Sequence, residues 1–141
     1  MKHHVVLRVV AKLLIPYILL YAFYVQFHGD YGPGGGFQAG VIFASAFILY
    51  ALIFGLESAH RAAPPGAVRF GLAFGVLLFA GTGVAGLLLG GNFLDYSVLS
   101  STPASGQHLG VLIVEAGVGI TVASAMIAIF FAFAGRRRRV E

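Results

Sequence analysis

The sequence has no cysteine, no tryptophan and only five prolines. Without cysteine there is no disulfide, no thiolate metal site and no cysteine redox chemistry. Charge is nearly as scarce: Asp, Glu, Lys and Arg make up 10% of the chain, against roughly a quarter in soluble domains. Motifs of catalysis are missing as well. Gly34-Gly35-Gly36-Phe37-Gln38-Ala39 fits a G-x-G-x-x-A pattern but follows an apolar run and not a strand, so it implies no dinucleotide fold. No Gly-Lys-Ser or Gly-Lys-Thr follows those glycines, and there is no nucleophile elbow, zinc-binding His pair or carboxylate pair at catalytic spacing. The residues predict neither an enzyme nor a cofactor or metal.

What fills the chain is apolar: 59% of its 141 residues are hydrophobic. It reads as a single membrane domain, 1–141, with no room for a soluble domain beside it. Apolar runs cover about 5–27, 37–56, 67–89 and 109–134, each near the roughly 20 residues that cross a hydrocarbon core. An all-α integral membrane fold with four transmembrane helices follows. A basic start before the first run suggests a signal peptide, but that run is too long, and Tyr21 to Phe27 offers no small-x-small cleavage site.

The nine basic residues fix the expected topology. Lys2, Arg8 and Lys12 lie at the start, Arg61 and Arg69 around the middle loop, and Arg136 to Arg139 at the end. With four spans all of these share one side. The loops at 28–36 and 90–108 carry His28, Asp30, Asp95 and His108 but no Lys or Arg. The positive-inside rule then places both termini in the cytoplasm of a multi-pass cell-membrane protein. Arg8 and Lys12 are expected to snorkel to the headgroups. The closing arginines anchor on anionic lipid, at about 1 kcal/mol each, so nucleic acid is not the expected partner.

Between the first two runs lies His28-Gly29-Asp30-Tyr31-Gly32-Pro33-Gly34-Gly35-Gly36-Phe37-Gln38-Ala39-Gly40, too rich in glycine for a helix of its own. Its expected role is a tight docking turn, with Pro33 limiting its freedom, Gly34, Gly35, Gly36 and Gly40 allowing close approach, and Phe37 opening the next span. Small residues also line helix faces, as lipid-embedded helices need: Gly36, Gly40 and Ala44 on the second span, Gly71, Gly75, Thr82, Gly86 and Gly90 on the third, and Gly117, Thr121 and Ser124 on the fourth. Tyr17, Tyr21, Tyr24 and His28 form one stripe on the first, expected to pack and anchor.

Glu115 is the candidate for chemistry. It sits about 9 Å beyond Leu109, where an ionisable group costs on the order of 2 to 3 kcal/mol and marks an ion path or a polar partner. His108 lies on the same face, about 10.5 Å away along the axis. His28 and Asp30 in the glycine turn are further candidates for attracting cations.

The His-Gly then Pro-Gly-Gly-Gly-Phe-x-x-Gly stretch at the entry to a membrane helix resembles the hallmark of the B subunit of Mrp-type multisubunit sodium/proton antiporters, also called Mnh. The basic start, the four spans and a His-Leu-Gly before a final helix carrying a Glu agree with it. This resemblance implies a subunit among six or seven different ones, in an assembly that exchanges cytoplasmic Na+ for external H+. It implies that the chain packs against its neighbours. Glu115, with His108 or a partner residue, is then expected to line or flank an ion pathway near the outer face, with a cation-facing role for His28 and Asp30 as the secondary expectation. Two alternatives stay open: a B-like subunit of a redox-driven complex such as a membrane-bound hydrogenase, and a self-sufficient small channel or transporter.

Overall fold

The computed structural model describes residues 4–29 and 34–137. Its helices are α1 (Val5–Phe27), α2 (Gly36–Phe54), α3 (Leu56–Ala62), α4 (Pro65–Leu88) and α5 (Pro103–Arg137), with a 3₁₀ turn at Tyr96–Leu99 ahead of the last. Among the described residues, four of these helices are long and apolar enough to cross a membrane. The all-helical expectation therefore holds at that level, with shifted ends and one additional helix.

α3 is the addition, in a stretch read from sequence as a loop. Gly55 closes α2 with φ of +95°, a conformation that side chains disfavour, and the chain turns back along α2. The exposed Glu57–Arg61 ion pair (3.0 Å) adds little to α3. Burial holds it instead: Ala59 is fully enclosed, and the His60 ring meets Phe131 edge-on at 4.6 Å. By Ala63 the chain has returned to Ala44, where both join Val68 and Ile127 in a buried cluster. Pro64 and Pro65 then start α4, proline being favoured where the first amides need no partner.

α5 also starts earlier than expected, at Pro103 rather than near 109. Its first turns read as loop because Pro, Ser and Gly punctuate them, yet packing makes them helical. A methyl at Gly106 or Gly110 would collide with Tyr96. The bare backbone of α5 is thus the surface on which the 89–102 segment folds. Within that segment Asp95 accepts hydrogen bonds from the Ser97 hydroxyl (2.5 Å) and amide (3.1 Å). These two bonds hold its carboxyl below the usual carboxylate range.

Around α5 the other helices pack through small residues: α2 and α4 lie against it, and α1 lies against α2. A methyl carbon at Gly40 would sit 2.7 Å from the Gly119 carbonyl oxygen, and one at Gly75 would sit 2.7 Å from that of Gly117. A methyl at Gly36 would run into the Glu115 carbonyl, and one at Gly71 into the Ser124 hydroxyl. Backbone-to-backbone contact of this kind replaces the hydrophobic drive that lipid does not supply. Arg8 and the exposed Lys12 hold their charges 5.1 and 5.6 Å from the centre of the Phe54 ring at the far end of α2.

These contacts fix a stagger. α2 begins level with Glu115, about 18 Å into α5. α4 crosses the same level at Gly75, opposite Gly117, and runs on for about 20 Å to Leu88. Gly29 and Gly35 therefore lie beside the middle of α4, far short of its C-terminal end and of the start of α5.

Candidate functional site

At that level lies Glu115, half-buried, on the face of α5 that α2 packs against. A methyl carbon at Gly29 would sit 3.0 Å from Oε2 and 3.2 Å from Oε1 of the Glu115 carboxylate, and one at Gly35 would sit 3.2 Å from Oε1. Both glycines therefore lie with bare backbone against the carboxylate. Gly35 also has φ of +143°, in the region that favours glycine, and it caps α2 without a side-chain hydrogen bond to the helix's first amides. Those amides lack intrahelical acceptors, and a helix N-terminus attracts negative charge. The carboxylate is set against the end of a helix dipole by residues some 80 positions apart.

The other expected site residues fall around this pair. His28 precedes Gly29 and stacks on Tyr24, with ring centres 4.8 Å apart and planes 19° apart. Gly34 packs against Val25, where a methyl carbon would be 3.1 Å from the carbonyl oxygen. Gly36 and Gly40 turn inward to α5, while Phe37 is exposed on the first turn of α2. His108 is exposed on α5, about 10.5 Å from Glu115 along the axis, and belongs to the helix rather than to its entry. Asp30 and Pro33 lie outside the described residues. No group of three or more His, Cys, Asp or Glu side chains among the described residues is arranged to hold a metal.

Gln26 and the cavity it lines escaped the sequence reading. Gln26 points from α1 toward α5, where a methyl carbon at Gly119 would sit 2.5 Å from its side-chain oxygen. Its amide nitrogen is buried with no hydrogen-bond partner among the described residues. Gln26 also lines a cavity of about 340 Å³ between α1, α2 and α5, together with Phe23, Gly40, Phe43, Ala116 and Ser124. That cavity begins one residue from Glu115 and reaches Ile127, about 16 Å along α5. The available signal was positional: Gln26 falls on the opposite face of the helix from the tyrosines.

The features together define a small polytopic membrane protein in which the one acidic side chain of the long helices is set into a glycine turn between two of them. The family model described as "Domain related to MnhB subunit of Na+/H+ antiporter" matches residues 6–128, and the chain belongs to this family. Two proteins named "Putative antiporter subunit mnhB2", from Staphylococcus aureus strains Newman and JH1, are each 34% identical to it over 139 residues, covering 96% of this chain and 98% of the relative. The chain is thus a small subunit of a multisubunit Na+/H+ antiporter.

Proposed function

We propose that the chain sits in the cell membrane with both termini cytoplasmic, as one of six or seven different subunits, and that Glu115 with the glycine turn forms a charged station on the ion pathway, reached from the outer face. The complex exchanges Na+ against H+, and this subunit acts as part of a transporter and not as an enzyme. His28 and Asp30 would draw cations to the turn. His108 would flank the approach along α5, and Pro33, Gly34, Gly35 and Phe37 would shape the turn for docking against neighbours.

The observation that carries this reading is the Glu115 carboxylate lying against Gly29 and Gly35 at the start of α2. Non-helical backbone at membrane depth is tolerated only inside protein or beside a water-filled cavity. Gly29, Gly35 and Glu115 lie level with the middle of α4, so water or another subunit would reach the carboxylate there. The cavity beneath Glu115 is lined mostly by apolar side chains and carries the Gln26 amide on its wall. The test is Glu115→Gln, with Na+-dependent proton exchange measured in vesicles and subunit assembly measured alongside. The expected result is intact assembly and exchange lowered by one or two orders of magnitude. Unchanged exchange in a fully assembled complex would make the role untenable.

A further inference from the structure

We infer that the cavity between α1 and α5, floored by α2, is a binding site for one acyl chain of a membrane phospholipid. The inference rests on the shape and lining of that cavity and stands apart from the ion-pathway reading.

α1 and α5 each pack along α2 but barely touch one another, which leaves a slot between them. Its floor is made of small, buried residues: Ala39 and Gly40 on α2, with Ala22 of α1 and Gly119 and Ala123 of α5 beside them. Phe23 and Phe27, exposed on α1, and the half-buried Ile120 of α5 stand at its sides. Apart from Gln26 at one end, the polar lining is Ser124, whose hydroxyl is turned toward Gly71 of α4. Water keeps to a cavity when it finds about two to four polar partners there, so this slot suits hydrocarbon and not water.

Its dimensions select the kind of hydrocarbon. A volume of about 340 Å³ spread over about 16 Å of α5 is a mean cross-section of about 20 Å², the width of one extended methylene chain. An α-helix is about 10 Å across with its side chains and cannot enter. A row of side chains from a neighbouring helix would enter at intervals of about 5 to 6 Å and leave a continuous slot partly empty, without the contacts that close packing supplies. The length fits as well, since each leaflet takes up half of a hydrocarbon core about 30 Å thick. At Ile127 the slot meets the buried cluster of Ala44, Ala63 and Val68, so the methyl end of the chain lies there and its carbonyl end toward Gln26. The slot also lies in the stretch where all four long helices run side by side: α2 starts level with Glu115, α4 passes at Gly75 and Gly71, and Val68 packs with Ile127. Hydrocarbon therefore surrounds it whichever helix ends meet the headgroups.

The test uses the assembled antiporter in vesicles of phosphatidylethanolamine and phosphatidylglycerol, doped with phosphatidylglycerol that carries a diazirine midway along one acyl chain. After irradiation, peptide mass spectrometry maps the adducts. Expected are lipid adducts on Phe23, Ile120 and Ile127, lost several-fold in Ala123→Phe, whose ring fills the slot, while lipid labelling of the other subunits is unchanged. The inference is overturned by an unlabelled slot in vesicles where the other subunits are labelled, or by slot adducts undiminished in Ala123→Phe. Slot adducts that form only when a diazirine-bearing free fatty acid replaces the phospholipid overturn it too. If Ala123→Phe does not enter the complex, the smaller filling Ala123→Leu and the wild-type adduct map decide on the same terms.

Discussion

A carboxylate within an apolar helix is tolerated only where the surroundings answer its charge, and at Glu115 those surroundings include the turn at Gly29 and Gly35. That Glu115 matters was legible in the sequence, because it is the one acidic side chain in an apolar run. That it meets Gly29 was not, since helical periodicity gives a face but not the distant turn this face touches. Gln26 was illegible for a related reason: an amide near a helix end reads as an ordinary surface residue until its buried, unpaired nitrogen is seen. Polar groups buried without partners cost about 1 to 3 kcal/mol. Gln26→Leu is therefore expected to leave thermal stability unchanged or slightly raised while slowing Na+-dependent exchange several-fold, as measured by melting of the purified complex and by vesicle assay.

Between elements, glycine sets the distances. Gly36 and Gly40 against α5, and Gly71 and Gly75 against Ser124, Thr121 and Gly117, are contacts that the small-residue spacing announced. Gly86 packs closely too, against the segment that follows α4, where a methyl carbon would sit 3.0 Å from the Asn92 carbonyl oxygen, but the same spacing misplaced Gly90, a turn residue with φ of +89°. Periodicity cannot see where a helix ends, and here α4 ends at Leu88. Gly75→Val is expected to push α4 off α5 and cost about 1 to 3 kcal/mol or more, read as reduced subunit accumulation and a lower melting temperature. The 89–102 segment supplies a pH prediction. Asp95 titrates below its ordinary value because Ser97 hydrogen-bonds the ionised form. Its contribution is then complete above the unfolded carboxylate pKa and fades as pH falls through the lowered folded one. Hydrogen exchange at the Ser97 amide should accelerate as the pH drops below about 4, beyond the intrinsic pH trend, and Asp95→Asn should remove that excess.

At the level of the whole molecule the decisive feature is the stagger of the α1–α2 pair against α4 along α5. Composition and apolar runs were enough for four membrane-crossing helices, since hydrophobic length leaves little choice. The stagger was hidden because it depends on α3, a seven-residue helix folded back from Gly55, too short and too mixed in character to be read from a pattern. By bringing α4 in level with Ala44, α3 leaves the turn at Gly29 and Gly35 beside the middle of α4 and in contact with Glu115. The central claim is that turn and carboxylate work as one site. The most direct test is a double-mutant cycle on Na+-dependent proton exchange in vesicles, using Gly29→Ala, Glu115→Asp and the two together, normalised to assembled complex. Residues in contact couple, while distant ones add. The expected result is a loss in the double variant clearly smaller than the product of the single losses, because the shorter aspartate withdraws from the added methyl; losses that simply multiply would contradict a shared site.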